Sequence, residues 1–152
     1  MLTIECATDR LFAKPWCDRA AVRVTNIDGD VPPLPRGTWF LNGPGRFEIA
    51  GQPYSHWLDG DGLVRALTFD GGDVTFASRF VQTRKFVEVE RAGRPLFRAF
   101  GTVTPGDRLN SRNTGLESPA NVSILHHAGA LFALGEQGQP WQIDPETLAT
   151  IG

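Results

Sequence analysis

Three histidines, two closely spaced aspartates and one glutamate behind an apolar strand are the groups in this 152-residue sequence whose types and spacing could support chemistry. His56 stands beside Trp57 and just before Asp59 and Asp61, an arrangement open to a His–carboxylate metal reading. A lone histidine in such a place more simply hydrogen-bonds backbone and locks the end of a strand. Asp59-Gly60-Asp61-Gly62 begins like a calcium loop, but with Asp59 at position 1, Leu63 falls at position 5 and Val64 at position 6, where a ligand and a glycine are needed. Turn chemistry is the better expectation there: Asp accepts local N–H groups and Gly takes positive φ. His126 and His127 are adjacent on an expected strand, so they point to opposite faces and cannot share a metal. Glu136 follows the apolar run ALFAL, and a carboxylate at a buried strand end needs a partner. Trp16, Trp39, Trp57 and Trp141 are read as packing residues rather than as the lining of a ligand tunnel.

The elements that must position these groups are short strands. Residues 1–37 read as a lead-in, with Asp28-Gly29-Asp30 and Pro32-Pro33-Leu34-Pro35 making extended surface coil. From Thr38 onward, apolar runs alternate with turns. TWFL is expected to end at Asn42-Gly43-Pro44-Gly45, and YSHWL at the Asp59–Gly62 turn. The clearest hairpin pairs residues 63–69 with 74–81 around Asp70-Gly71-Gly72-Asp73. A second strand pair is expected at 85–90 and 96–100 across Ala92-Gly93-Arg94, then a loop over 101–120. NVSILHH, ALFALGE and PWQID read as three further strands, followed by a turn at Pro145-Glu146-Thr147-Leu148. No stretch of twelve or more residues has helical period, so the class is all-β: a sandwich, a barrel or propeller blades, which periodicity alone does not separate.

Composition agrees and excludes several functions. Seventeen glycines and eleven prolines suit a turn-rich β fold, and the 41% hydrophobic content suits a globular core. Fifteen Lys and Arg against seventeen Asp and Glu, without a basic block, argue against nucleic acid as a partner. Cys6 and Cys17 form no metal motif and are expected as free thiols. No h-region or long apolar run is visible, so a cytoplasmic location is the expectation. The sequon Asn121-Val122-Ser123 is read as chance.

Several ordered blocks carry a family resemblance. Asn42-Gly43-Pro44, then His56-Trp57-Leu58 running into Asp59-Gly60-Asp61-Gly62, then the hairpin, then Arg79-Phe80-Val81-Gln82-Thr83 resemble the opening of the carotenoid cleavage oxygenases. Phe100-Gly101-Thr102, Asn121-Val122-Ser123, Ala133-Leu134-Gly135-Glu136 and Ile143-Asp144-Pro145-Glu146-Thr147-Leu148 continue the match. This family includes lignostilbene dioxygenases and the retinoid isomerase.

The resemblance implies that residues 38–152 are an N-terminal portion, about two blades, of a seven-bladed β-propeller. It implies an oxidoreductase in which Fe2+ on the propeller axis is held by four His from separate blades, all expected C-terminal to Gly152. It implies cleavage of a C=C bond in a carotenoid, apocarotenoid or stilbene with O2, giving carbonyl products, with peripheral membrane contact left open. No catalytic or metal-binding residue is then expected within the chain, and the chain alone is expected to be inactive. The family pattern gives Glu136, nine residues before Pro145, a role accepting a hydrogen bond from the Nδ1–H of an iron-bound His. Two other classes stay open: a non-catalytic β-propeller binding or scaffold protein, and a glycan-binding β domain.

Overall fold

The computed structural model describes residues 16–109 and 117–152, which places Cys6 outside the described residues; Cys17 is an exposed free thiol. Strands β1 (Arg19–Arg23), β2 (Arg36–Arg46), β5 (Asp61–Asp70) and β6 (Asp73–Phe80) form an antiparallel sheet in the order β1-β6-β5-β2. β3 (Glu48–Ile49) and β4 (Gln52–Pro53) make a short ribbon, and β7 (Ser123–His127), β8 (Ala130–Leu134) and β9 (Trp141–Ile143) a three-stranded antiparallel sheet. Among the described residues one α-helix, α1 (Arg84–Ala92), follows β6. The regular elements of the described residues are thus nearly all strands, and none of their helices is long and apolar enough to cross a membrane.

The expected hairpin is present. Leu63 pairs with Phe80, Leu67 with Phe76 and Phe69 with Val74, and Gly71 and Gly72 both take the positive φ that a tight hairpin turn demands. The lead-in is not wholly coil, because β1 pairs along β6.

Asn42-Gly43-Pro44-Gly45 is not a turn. β2 runs straight through it, paired to β5 from Arg36 to Arg46 with a register shift after Pro44. Two facts permit this. β2 is an edge strand, where a missing N–H breaks no second ladder. A Cβ on Gly45 would lie 2.6 Å from the Cβ of Leu63, so the glycine serves close approach and not turning.

The expected strand pair at 85–90 and 96–100 is also replaced. Residues 84–92 are α1, with the Thr83 side chain accepting from Phe86 N–H at 3.0 Å at the start and Gly93 closing the end in the left-handed region. Phe86 and Val89, three apart, are its buried apolar residues, whereas strand alternation would have buried alternate positions.

The two larger sheets are joined face to face. Val64 and Ala66 of β5 and Val81 pack with Leu131 and Ala133 of β8, Ile143 of β9 and Leu148 in one buried cluster. Full burial of side chains of this size is worth about 1.5–3 kcal/mol each, so this contact fixes how the sheets sit on one another. Past Leu148 the chain returns along β9, with Asp144 N–H bonded to Ala149 O at 2.8 Å and Ile151 N–H to Gln142 O at 2.8 Å. Of the four Trp residues, Trp141 packs on this cluster as expected, but Trp16, Trp39 and Trp57 are exposed. The packing expectation fails for Trp39 because its strand neighbour Phe40 takes the side facing the cluster.

Candidate functional site

Leu58 and Asp59 lie between the ribbon and β5, and Asp61 opens β5; their surroundings decide what the site can do. His56 caps a short 3-10 turn (Trp57–Asp59): its Nδ1 accepts from Leu58 N–H at 3.1 Å. The backbone bond expected of His56 is therefore present, although it fixes a helical turn and not a strand end.

Asp59 and Asp61 do not have the expected role of accepting local N–H groups in a glycine turn. Gly60 sits at φ −60°, and neither it nor Gly62 takes positive φ. A Cβ on Gly62 would overlap the carbonyl oxygen of Ala120, and one on Gly60 would lie 2.9 Å from the Pro44 side chain. The glycines of this block let neighbouring chain come close. Both aspartates are 1% exposed and bind distant partners. Asp59 accepts from Thr102 N–H and Thr102 Oγ1, each at 2.7 Å, and from Gly101 N–H at 3.1 Å. Asp61 accepts from Lys85 Nζ at 2.6 Å, Arg46 Nε at 2.8 Å and Tyr54 OH at 3.1 Å. Lys85 is itself 3% exposed and also donates to Asp59 O at 3.0 Å. Arg46 binds Glu90 of α1 as well and lies over the Phe86 ring. Burial works against the charge on Arg46, but the attraction of Asp61 and Glu90 outweighs it and its pKa rises. Burial, reinforced by Asp61, pushes the Tyr54 phenol well above its ordinary range, so it stays a neutral donor.

Asn121 closes this block from the other sheet. Its Nδ2 donates to Leu58 O at 2.8 Å and Gly60 O at 2.7 Å, which leaves the sequon amide buried and engaged. Gly62 N–H reaches Pro119 O at 3.0 Å. Segment 118–121 is thereby fixed against the start of β5.

A small pocket of roughly 40 Å³ opens beside this block, lined in part by Asp59, Lys85, Glu117, Asn121 and Glu136. That holds a water or two, far from the ~300 Å³ at which small-molecule sites begin. Glu136 stands two residues past β8 and is exposed, so the buried, partnered carboxylate expected at this strand end is not found among the described residues; it makes no hydrogen bond to any of them. Burial raises the Glu117 carboxyl above its ordinary value, Arg84 and Lys85 opposing and Glu88 reinforcing the shift. His126 and His127 are exposed on β7, remote in register from this pocket. Among the described residues no group of three or more His, Cys, Asp or Glu is placed to hold a metal ion. What the pocket offers is a pair of carboxylates, Glu136 above all, available to a donor from elsewhere.

Lys85, Arg46, Tyr54, Thr102 and Glu117 were not legible as members of one cluster. The one available signal was Thr83 and Gly93 at helix-capping spacing, which would have put Lys85 in the first turn of a helix.

The retinal pigment epithelial membrane protein family model matches residues 13–152. Among curated proteins, an apocarotenoid-15,15'-oxygenase of Synechocystis is 42% identical over 132 residues, covering 85% of this chain and 27% of the relative. An isoeugenol monooxygenase of Pseudomonas nitroreducens is 35% identical over 127 residues, covering 83% and 26% respectively. The chain thus spans about a quarter of the length of these relatives. The solved cobalt-substituted Synechocystis apocarotenoid oxygenase superposes with a TM-score of 0.78 at 38% identity, over 87% of this chain and 28% of that one.

Proposed function

This chain belongs to the carotenoid cleavage oxygenase family, that of the retinal pigment epithelial membrane protein, and from that premise we propose that it is the N-terminal portion of an iron-dependent oxygenase. The substrate class is an apolar alkene, a carotenoid, apocarotenoid or stilbene-like compound, cleaved at a C=C bond with O2 to carbonyl products. The two packed sheets are adjacent blades of a seven-bladed propeller whose remaining blades lie outside this sequence.

The residues present fit a metal held by groups outside the chain. Glu136 is a carboxylate at a pocket, bonded to no described residue, nine positions before Pro145. That free acceptor is the observation that carries the reading. Fe(II), held by four His from other blades, supplies the centre at which O2 is activated. Glu136 accepts the Nδ1–H of one of those His, fixes its tautomer and turns its other nitrogen toward the metal. Lys85, Asp59 and Asn121 keep the pocket wall in place without touching substrate.

The test is Glu136→Gln in the full-length protein, assayed on an apocarotenoid and on a stilbene with aldehyde products measured. A ~10–100-fold loss in iron affinity or turnover with the fold intact is expected. Wild-type iron content and turnover in the variant would refute the role.

A further inference from the structure

We infer that Ser118 is a peg around which the Glu136-bearing turn is wrapped, and that it acts as a positioning residue for that carboxylate. This rests on the reading of Glu136 above and extends it to what aims the side chain.

Glu136 is the second residue of a turn bounded by Gly135 and Gly138, and both glycines close on Ser118. A Cβ on Gly135 would overlap Ser118 Oγ, and one on Gly138 would lie 3.0 Å from Ser118 Cβ. Gly138 also sits at φ +88°, which side-chain-bearing residues rarely adopt. Ser118 is 6% exposed, and its Oγ is turned inward, where it accepts from Ala120 N–H at 3.2 Å. Its rotamer is therefore held from behind while the turn closes on it from in front.

The peg is anchored at its other end. Pro119 O accepts from Gly62 N–H at 3.0 Å, Ala120 is fully buried in the core between the sheets, and Asn121 donates to both Leu58 O and Gly60 O. Asn42 Nδ2 adds a bond to Ala120 O at 2.8 Å. Backbone atoms of Pro119 and Ala120 thus tie Ser118 to the start of β5 and to Asn42, so a displaced Glu136 turn is not accommodated by movement of the peg. A carboxylate that must meet one imidazole N–H tolerates an error of only about 0.5 Å, so a shift of the turn reaches the metal as a misdirected ligand.

The experiment uses the full-length protein, with iron affinity and the visible spectrum of the cobalt(II)-loaded form as readouts, the latter independent of turnover. Gly135→Ala is expected to lower iron affinity ~10–100-fold and to shift the cobalt bands in the same direction as Glu136→Gln. If Gly135→Ala does not fold, Ser118→Ala carries the test, since it deletes only the hydroxyl; it is expected to lower iron affinity and move the bands the same way. Wild-type affinity and spectrum in Gly135→Ala or Ser118→Ala, with Glu136→Gln impaired, would overturn the peg and leave the role of Glu136 standing. A wild-type spectrum in Glu136→Gln would instead remove the reading on which the peg rests.

Discussion

Asp59, Asp61 and Glu117 show how one chemical group, the carboxylate, comes to serve different ends in one part of the fold. Asp59 spends its carboxylate on the backbone and hydroxyl of a loop more than forty residues away, Asp61 on two cations and a phenol. Glu117 has attraction from Arg84 but is held chiefly by its burial, which makes its ionisation costly to the fold. The folded state holds this proton more tightly than the unfolded state. Below the ordinary glutamate pKa of about 4.3 both states are protonated and nothing is lost. As pH rises from there through the raised folded value, the unfolded state releases its proton first and stability falls. Glu117→Gln should therefore raise the melting temperature at neutral pH and leave it unchanged in acid, as read by thermal unfolding across pH. An equal shift at both ends of the range would contradict this. His56 bonding backbone and the spacing from Glu136 to Pro145 were legible in the sequence because both are local. The partners of Asp61 were not, since Lys85 lies 24 residues on and Arg46 fifteen back, and no periodicity links them.

At the scale of elements, the buried ion pair is what docks α1. The helix presents Phe86 and Val89 to two small apolar clusters, and Lys85 between them reaches Asp61 on β5. Removing one partner of such a pair leaves a charge without compensation and costs about 3–5 kcal/mol. Lys85→Met is expected near the lower end, about 3 kcal/mol by denaturant unfolding of the full-length protein, because Asp61 keeps Arg46 and Tyr54. A loss below about 1 kcal/mol would mean that the helix is held by its apolar residues alone. The sequence hid this helix because Phe86-Val87-Glu88-Val89-Glu90 mimics strand alternation, and nine residues are too few for a helical period to stand out. The β5–β6 hairpin was legible because Gly71-Gly72 dictates its turn locally. Asn42-Gly43-Pro44-Gly45 carries the same residue types as a turn, yet edge position and contact with Leu63 put it inside a strand. Only tertiary context separates those two uses of glycine.

At the scale of the whole molecule, the mated sheets and the fixed segment 118–121 present Glu136 toward a space that the described residues do not fill. Phe100 is 65% exposed and Trp57 55%, both in ring contact with His56 beside the Asp59 block. The overall class was legible because short strands and glycine-rich turns leave few architectures, and the ordered motifs pointed to one family among them. Glu136 is proposed to support a metal ligand supplied from beyond this chain. A structure of the full-length protein with its metal bound tests this most directly. The account predicts a Glu136 carboxylate oxygen within about 2.7–3.2 Å of the Nδ1 of a metal-bound histidine. A Glu136 carboxylate left in solvent, with no ligand histidine in reach, would contradict it.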